Sequence, residues 1–73
     1  MSTHHFQAVF ESGRRMNLRG DSLIEAHADL THIWRNGGYL VGSLKETTTG
    51  GATRVWRAGE TELIRIEHTE PQL

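Results

Sequence analysis

Apolar and polar residues alternate from the sixth residue onward, with Phe6, Ala8 and Phe10 set against Gln7, Val9 and Glu11. A period of two puts each set on one side of a β-strand. After Ser12-Gly13 the period resumes, with Met16 and Leu18 set against Arg15, Asn17 and Arg19. Two alternating runs around a two-residue, glycine-containing turn predict a β-hairpin. Its apolar side consists of Phe6, Ala8, Phe10, Met16 and Leu18.

At Gly20 the period changes. Asp21 or Ser22 can cap a helix, and Ser22 with Glu25 has the spacing at which two side chains satisfy backbone donors of the first turn. Leu23, Ala26, Leu30, Ile33 and Trp34 then recur at intervals of three and four, which makes one apolar stripe. Asn36-Gly37-Gly38 supplies the left-handed stop. Beyond it, YLVGSLKE (39–46) and ATRVWRA (52–58) read as strands, joined by the polar TTTGG (47–51) as a loose hairpin tip. Gly59 interrupts the pattern, and TELIRIEH (61–68) alternates Ile64 and Ile66 against Leu63, Arg65 and Glu67. The expected order is β-β-α-β-β-β. That is an α+β fold of two layers, an antiparallel sheet of four to five strands with one helix packed on one face. The chain is expected to form a single domain over residues 1–73, with residues 1–4 and 69–73 frayed.

Composition narrows the class of function. The 73 residues are 36% hydrophobic and contain no cysteine, so no disulfide or thiolate chemistry is available. The polar start MSTHHFQ and the short apolar runs predict neither a secretory signal nor a membrane span, and a cytoplasmic setting is expected. The formal net charge is −1, which argues against attachment to nucleic acid by bulk charge. Seven of the eight basic residues are nevertheless arginine, and Lys45 is the only lysine. Guanidinium is the group preferred for planar, bidentate and stacking contacts, although a GC-rich coding sequence would produce the same bias.

Since one helix covers one side of such a sheet, the other side is left for water or a partner. Arg15, Asn17 and Arg19 are expected there beside Gln7 and Val9, with Arg65 on the same side. The fourth strand has two readings. Either Val55 faces inward, with Arg54, Trp56 and Ala58 outward, or the reverse. An outward Trp56 between Arg54 and Arg57 would join the two residue types most enriched in binding hot spots. Arg14, at the turn, completes the candidate partner-binding set: Arg14, Arg15, Asn17, Arg19, Arg54, Trp56, Arg57 and Arg65. Glu25 and Asp29, on the polar side of the helix, form a secondary candidate set that His32 can also reach.

Catalytic patterns are absent. TTTGGATR lacks the ending of a phosphate loop, no nucleophile elbow occurs, and Ser, His and Asp are not ordered into a triad. His4, His5 and His68 could meet if the first and last strands pair, and His27 lies at the boundary of the apolar stripe. Neither a metal nor a cofactor is expected, and neither is an enzyme. Two readings remain: a protein-interaction module, or a small nucleic-acid binder that reads phosphates with Arg14, Arg15, Arg19, Arg54 and Arg57. In length and composition (short, free of cysteine, biased to arginine, without catalytic residues) the whole chain resembles the small bacteriophage host-takeover proteins. Among these are RNA polymerase-binding transcription regulators, as in a lytic phage of Xanthomonas. The resemblance implies a monomer that binds bacterial RNA polymerase, blocks transcription initiation and promotes antitermination by steric occlusion.

Overall fold

Residues 5–69 are described by the computed structural model. They form the strands β1 (Phe6–Phe10), β2 (Arg15–Leu18), β3 (Leu40–Val41), β4 (Thr53–Arg57) and β5 (Glu60–His68), with helices α1 (Leu23–Asn36) and α2 (Leu44–Gly50). The strands make one antiparallel sheet in the order β2-β1-β5-β4-β3. It is the expected α+β architecture, with one helix more than the pattern predicts.

The first hairpin keeps the predicted division of its side chains. Phe6 lies opposite Leu18 and Ala8 opposite Met16, so the apolar positions of both strands share a face. The connection is one residue longer than expected. The Gly13 N–H donates to the Phe10 carbonyl, and the Phe10 N–H donates to the Arg14 carbonyl, each at 2.8 Å. Glu11, Ser12 and Gly13 therefore form the loop, with Gly13 at φ 97° in the left-handed position that ends such three-residue turns.

The core lies between the sheet and α1. Phe6, Ala8, Phe10, Leu18, Val55 and Ile64 from the sheet meet Ala26 and Leu30 from the helix, with Met16, Trp34, Val41 and Ile66 packed around them. The helix starts as its sequence directs, since Ser22 Oγ accepts from the Glu25 N–H at 3.2 Å. Glu25 reaches back one residue further than a capping box requires and accepts from the Asp21 N–H at 3.2 Å. The buried stripe is narrower than predicted. Ala26 and Leu30 are buried and Trp34 half-buried, whereas Ile33, about a quarter-turn away, is exposed. His27 is half-buried at the stripe boundary, where Nε2 lies 2.9 Å from the Gly42 carbonyl and so carries the proton.

The strand expected over 39–46 stops after Val41. Ser43 caps α2 instead, its Oγ accepting from the Glu46 N–H at 3.2 Å. TTTGG is not a hairpin tip. Its threonines continue the helix, and Gly51 closes it at φ 77° with its N–H donated to the Thr47 carbonyl. A side chain at Gly42 would place Cβ 2.7 Å from Thr53 Oγ1, and closer still to the Glu46 carboxylate. Glycine there lets the chain turn from the sheet edge into α2, which packs on β4. The last hairpin turns through Ala58 and Gly59, both with positive φ, between the paired residues Arg57 and Glu60.

The expected frayed ends 1–4 and 70–73 lie outside the described residues, but Thr69 donates to the His5 carbonyl at 2.7 Å. Among the described residues, no helix is long and apolar enough to cross a membrane.

Candidate functional site

Sheet register resolves the two readings of the fourth strand. Val55 lies opposite Val41 and Glu62 and is buried in the core, so Arg54 and Trp56 occupy the face away from α1. Pairing then lays out that open face row by row. Asn17, Gln7 and Glu67 form one row; Arg15, Val9 and Arg65 form the next. Leu63 and Arg54 lie opposite one another in the third, followed by Thr61, Trp56 and Leu40.

One corner of the face is a polar network. Gln7 Nε2 donates to Asn17 Oδ1 at 3.0 Å, and the Arg15 guanidinium donates to Gln7 Oε1 at 3.2 Å and Glu67 Oε1 at 3.3 Å. Arg65 donates Nε–H to the other Glu67 oxygen at 2.9 Å, with a second bond from its terminal nitrogen. These bonds hold the Glu67 carboxyl below its ordinary value of 4.5. The hydrogen bonds from Arg65 contribute most. The charge of Arg65 and the bond and charge of Arg15 add to them, against partial desolvation, which acts the other way.

The opposite corner is apolar. Trp56 is half-buried with the Arg54 guanidinium 5.0 Å from its ring centroid, and Arg54 Nε is anchored to Glu46 Oε1 of α2 at 2.9 Å. Leu40 lies opposite Trp56 and is 55% exposed, while Leu63, opposite Arg54, is 44% exposed. Between the corners, Val9, Leu63 and Arg65 line a cleft of about 430 Å³ bounded by Glu11 and by Gly50–Ala52 at the end of α2. The ion pairs of the face are unequal in exposure. The Arg15, Arg54 and Arg65 side chains are 53%, 54% and 58% exposed, whereas the Glu67 and Glu46 side chains paired with them are 33% and 35% exposed.

Five of the predicted partner-binding residues (Arg15, Asn17, Arg54, Trp56 and Arg65) thus share this face. The other three lie elsewhere. Arg14 sits 4.6 Å over the Phe10 ring and Arg57 4.6 Å over the Tyr39 ring. Arg57 also pairs with Glu60 at 3.1 Å, to which the Tyr39 hydroxyl donates at 3.5 Å. Both arginines flank the Phe10–Trp34–Tyr39 aromatic cluster at the far end of α1, and an inward residue of β4 cannot join the outward set. Arg19 follows the end of β2, its backbone N–H held by Asp29 Oδ2 at 2.9 Å, and lines a shallow cleft with Gly20, Asp21, Glu25 and Ala28.

The secondary candidates Glu25 and Asp29 both accept backbone N–H bonds, which ties them to the start of α1 and the end of β2. His5 lies 3.6 Å from Asp21, and the His68 ring packs edge-on against Phe6. His4 is outside the described residues. Among the described residues no group of three or more His, Asp or Glu is placed to hold a metal ion. Leu40, Leu63 and Glu67 are among the residues of the face that were not named as site residues from the sequence. The alternation of β5 contains the signal for two of them, because Leu63 and Glu67 share parity with Arg65. No family model matches the chain, and no match was found among curated proteins or solved structures.

Proposed function

We propose that the chain is a non-enzymatic protein-binding regulator that docks through the open sheet face. Trp56 carries this reading. It lies outward under an arginine, next to one exposed leucine on β3 and diagonal to another on β5. A large aromatic beside Arg54 in an apolar surround has the composition of a binding hot spot. A protein partner supplies the area to cover such a surface, and about 800 Å² per partner suffices for stable association. The resemblance to phage host-takeover proteins supplies the candidate partner, bacterial RNA polymerase. On this reading the domain inhibits initiation and promotes read-through of terminators by occupying a surface that other factors need.

The nucleic-acid reading is the weaker one. Of the five arginines it would use, only Arg15 and Arg54 lie on the open face, whereas Arg14 and Arg57 sit over aromatic rings on the other side and Arg19 lines a separate cleft. The set does not form one track for a phosphate backbone.

Binding of the labelled chain to purified bacterial RNA polymerase, and to duplex and single-stranded oligonucleotides at low salt, tests the proposal. Wild type is expected to bind the polymerase and not the oligonucleotides. Trp56→Ala is expected to weaken binding by about 2 kcal/mol, the scale of a hot-spot truncation. Undiminished binding by Trp56→Ala would remove this face as the docking surface. Failure of the wild type to bind would remove the polymerase as partner.

A further inference from the structure

We infer that the partner meets this face with an acidic segment, placing an aliphatic or aromatic side chain against Trp56 and Leu63 and carboxylates against Arg54 and Arg65. The inference rests on the docking reading above and adds the chemistry of the occupant. Its basis is the unequal exposure within the ion pairs. Each arginine of the face is more than half exposed, and each glutamate that orients it is covered to about two-thirds. The guanidinium groups are therefore the more accessible members of these pairs.

A guanidinium has five N–H donors in a fixed fork. Among the described residues Arg54 hydrogen-bonds only through Nε, to Glu46, with its terminal nitrogens on the guanidinium that lies beside the indole. Arg65 spends Nε and one terminal nitrogen on Glu67; its other terminal nitrogen has no partner among the described residues, and the side chain lines the cleft with Val9 and Leu63. Carboxylates reaching those donors would form charge-assisted bonds to groups already held in position, so little side-chain freedom is lost on binding. A basic segment would meet arginines that are more exposed than the glutamates paired with them. Single-stranded nucleic acid could stack on Trp56, but Leu40 and Leu63 provide no π-face to continue the stack.

The test is an NMR titration of the ¹⁵N-labelled chain with three probes. These are a synthetic peptide with a leucine pair flanked by glutamates, the same peptide with lysine at each glutamate, and oligo-dT. The glutamate peptide is expected to shift the Trp56 indole N–H and the Arg54 and Arg65 Nε–H signals, with an affinity about tenfold above that of the lysine peptide. Arg54→Glu and Arg65→Glu should abolish the preference. Arg54→Gln, which places no carboxylate against Glu46, should reduce it, and Arg14→Glu, on the other side of the molecule, should leave it intact. Melting curves establish that each variant is folded. Equal response to both peptides, response to neither, a preference that survives both reversals, or a response to oligo-dT alone overturns the inference. Failure here is separable from failure of the docking reading. If Trp56→Ala loses the polymerase while Arg54→Glu and Arg65→Glu bind it as wild type does, the face stands and the acidic partner falls.

Discussion

Ala58 has φ 36°, the only positive value outside glycine among the described residues, and Gly59 follows at 90°. Two successive left-handed residues make the turn whose twist matches a hairpin, and asparagine or glycine accepts the first position more readily than alanine. Ala58→Asn is therefore expected to stabilise the domain by about 0.5–1 kcal/mol, read as a higher midpoint in urea denaturation. Glu67 gives a second prediction at this scale. Its pKa is lower in the folded chain than in the unfolded one, so its contribution to stability is present above the ordinary carboxylate range and lost as pH falls through the lowered folded value. Thermal melts between neutral pH and about pH 3 should accordingly show a shallower decline for Glu67→Gln than for wild type. An equal decline would mean that Arg15 and Arg65 gain nothing from the carboxylate.

At the level of elements, α2 separates what the sequence makes legible from what it hides. Ser43 and Glu46 repeat the spacing of Ser22 and Glu25, the helix-start signal that correctly placed α1. At α2 the same spacing competes with a strand reading of YLVGSLKE and with three threonines, which favour strands and turns over helix interiors, and the pattern predicts no helix there. Only tertiary packing on β4 decides between them, and a one-dimensional pattern does not contain that packing. Ser43→Ala is expected to cost about 1 kcal/mol in a denaturation experiment, as loss of a helix cap does. If α2 were held by packing alone, the substitution would be silent.

The first hairpin shows the opposite case. With one side buried, a slip of one residue would turn Phe6, Ala8 and Phe10 into water, so alternation sufficed to place Arg15 and Asn17 outward. It did not suffice for Arg54 and Trp56, because RVWR presents polar residues at both parities of its ends. There the register with β3 and β5 made the choice.

For the molecule as a whole, the two sides of the sheet have divided their arginines. Arg14 and Arg57 stack on aromatic rings at the end of α1, while Arg15, Arg54 and Arg65 pair with carboxylates on the side the helix leaves open. A chain with net charge −1 thereby presents one exposed arginine-bearing face with an apolar corner. The claim that this face makes the contact is tested most directly by mapping NMR line broadening on the labelled chain as purified bacterial RNA polymerase is added. The account predicts selective broadening of the Trp56 indole and of the Val9, Leu40 and Leu63 methyls, with the exposed Ile24 and Ile33 methyls of α1 spared. Broadening at Ile24 and Ile33 with Trp56 unaffected would place the contact on the helix side and contradict it.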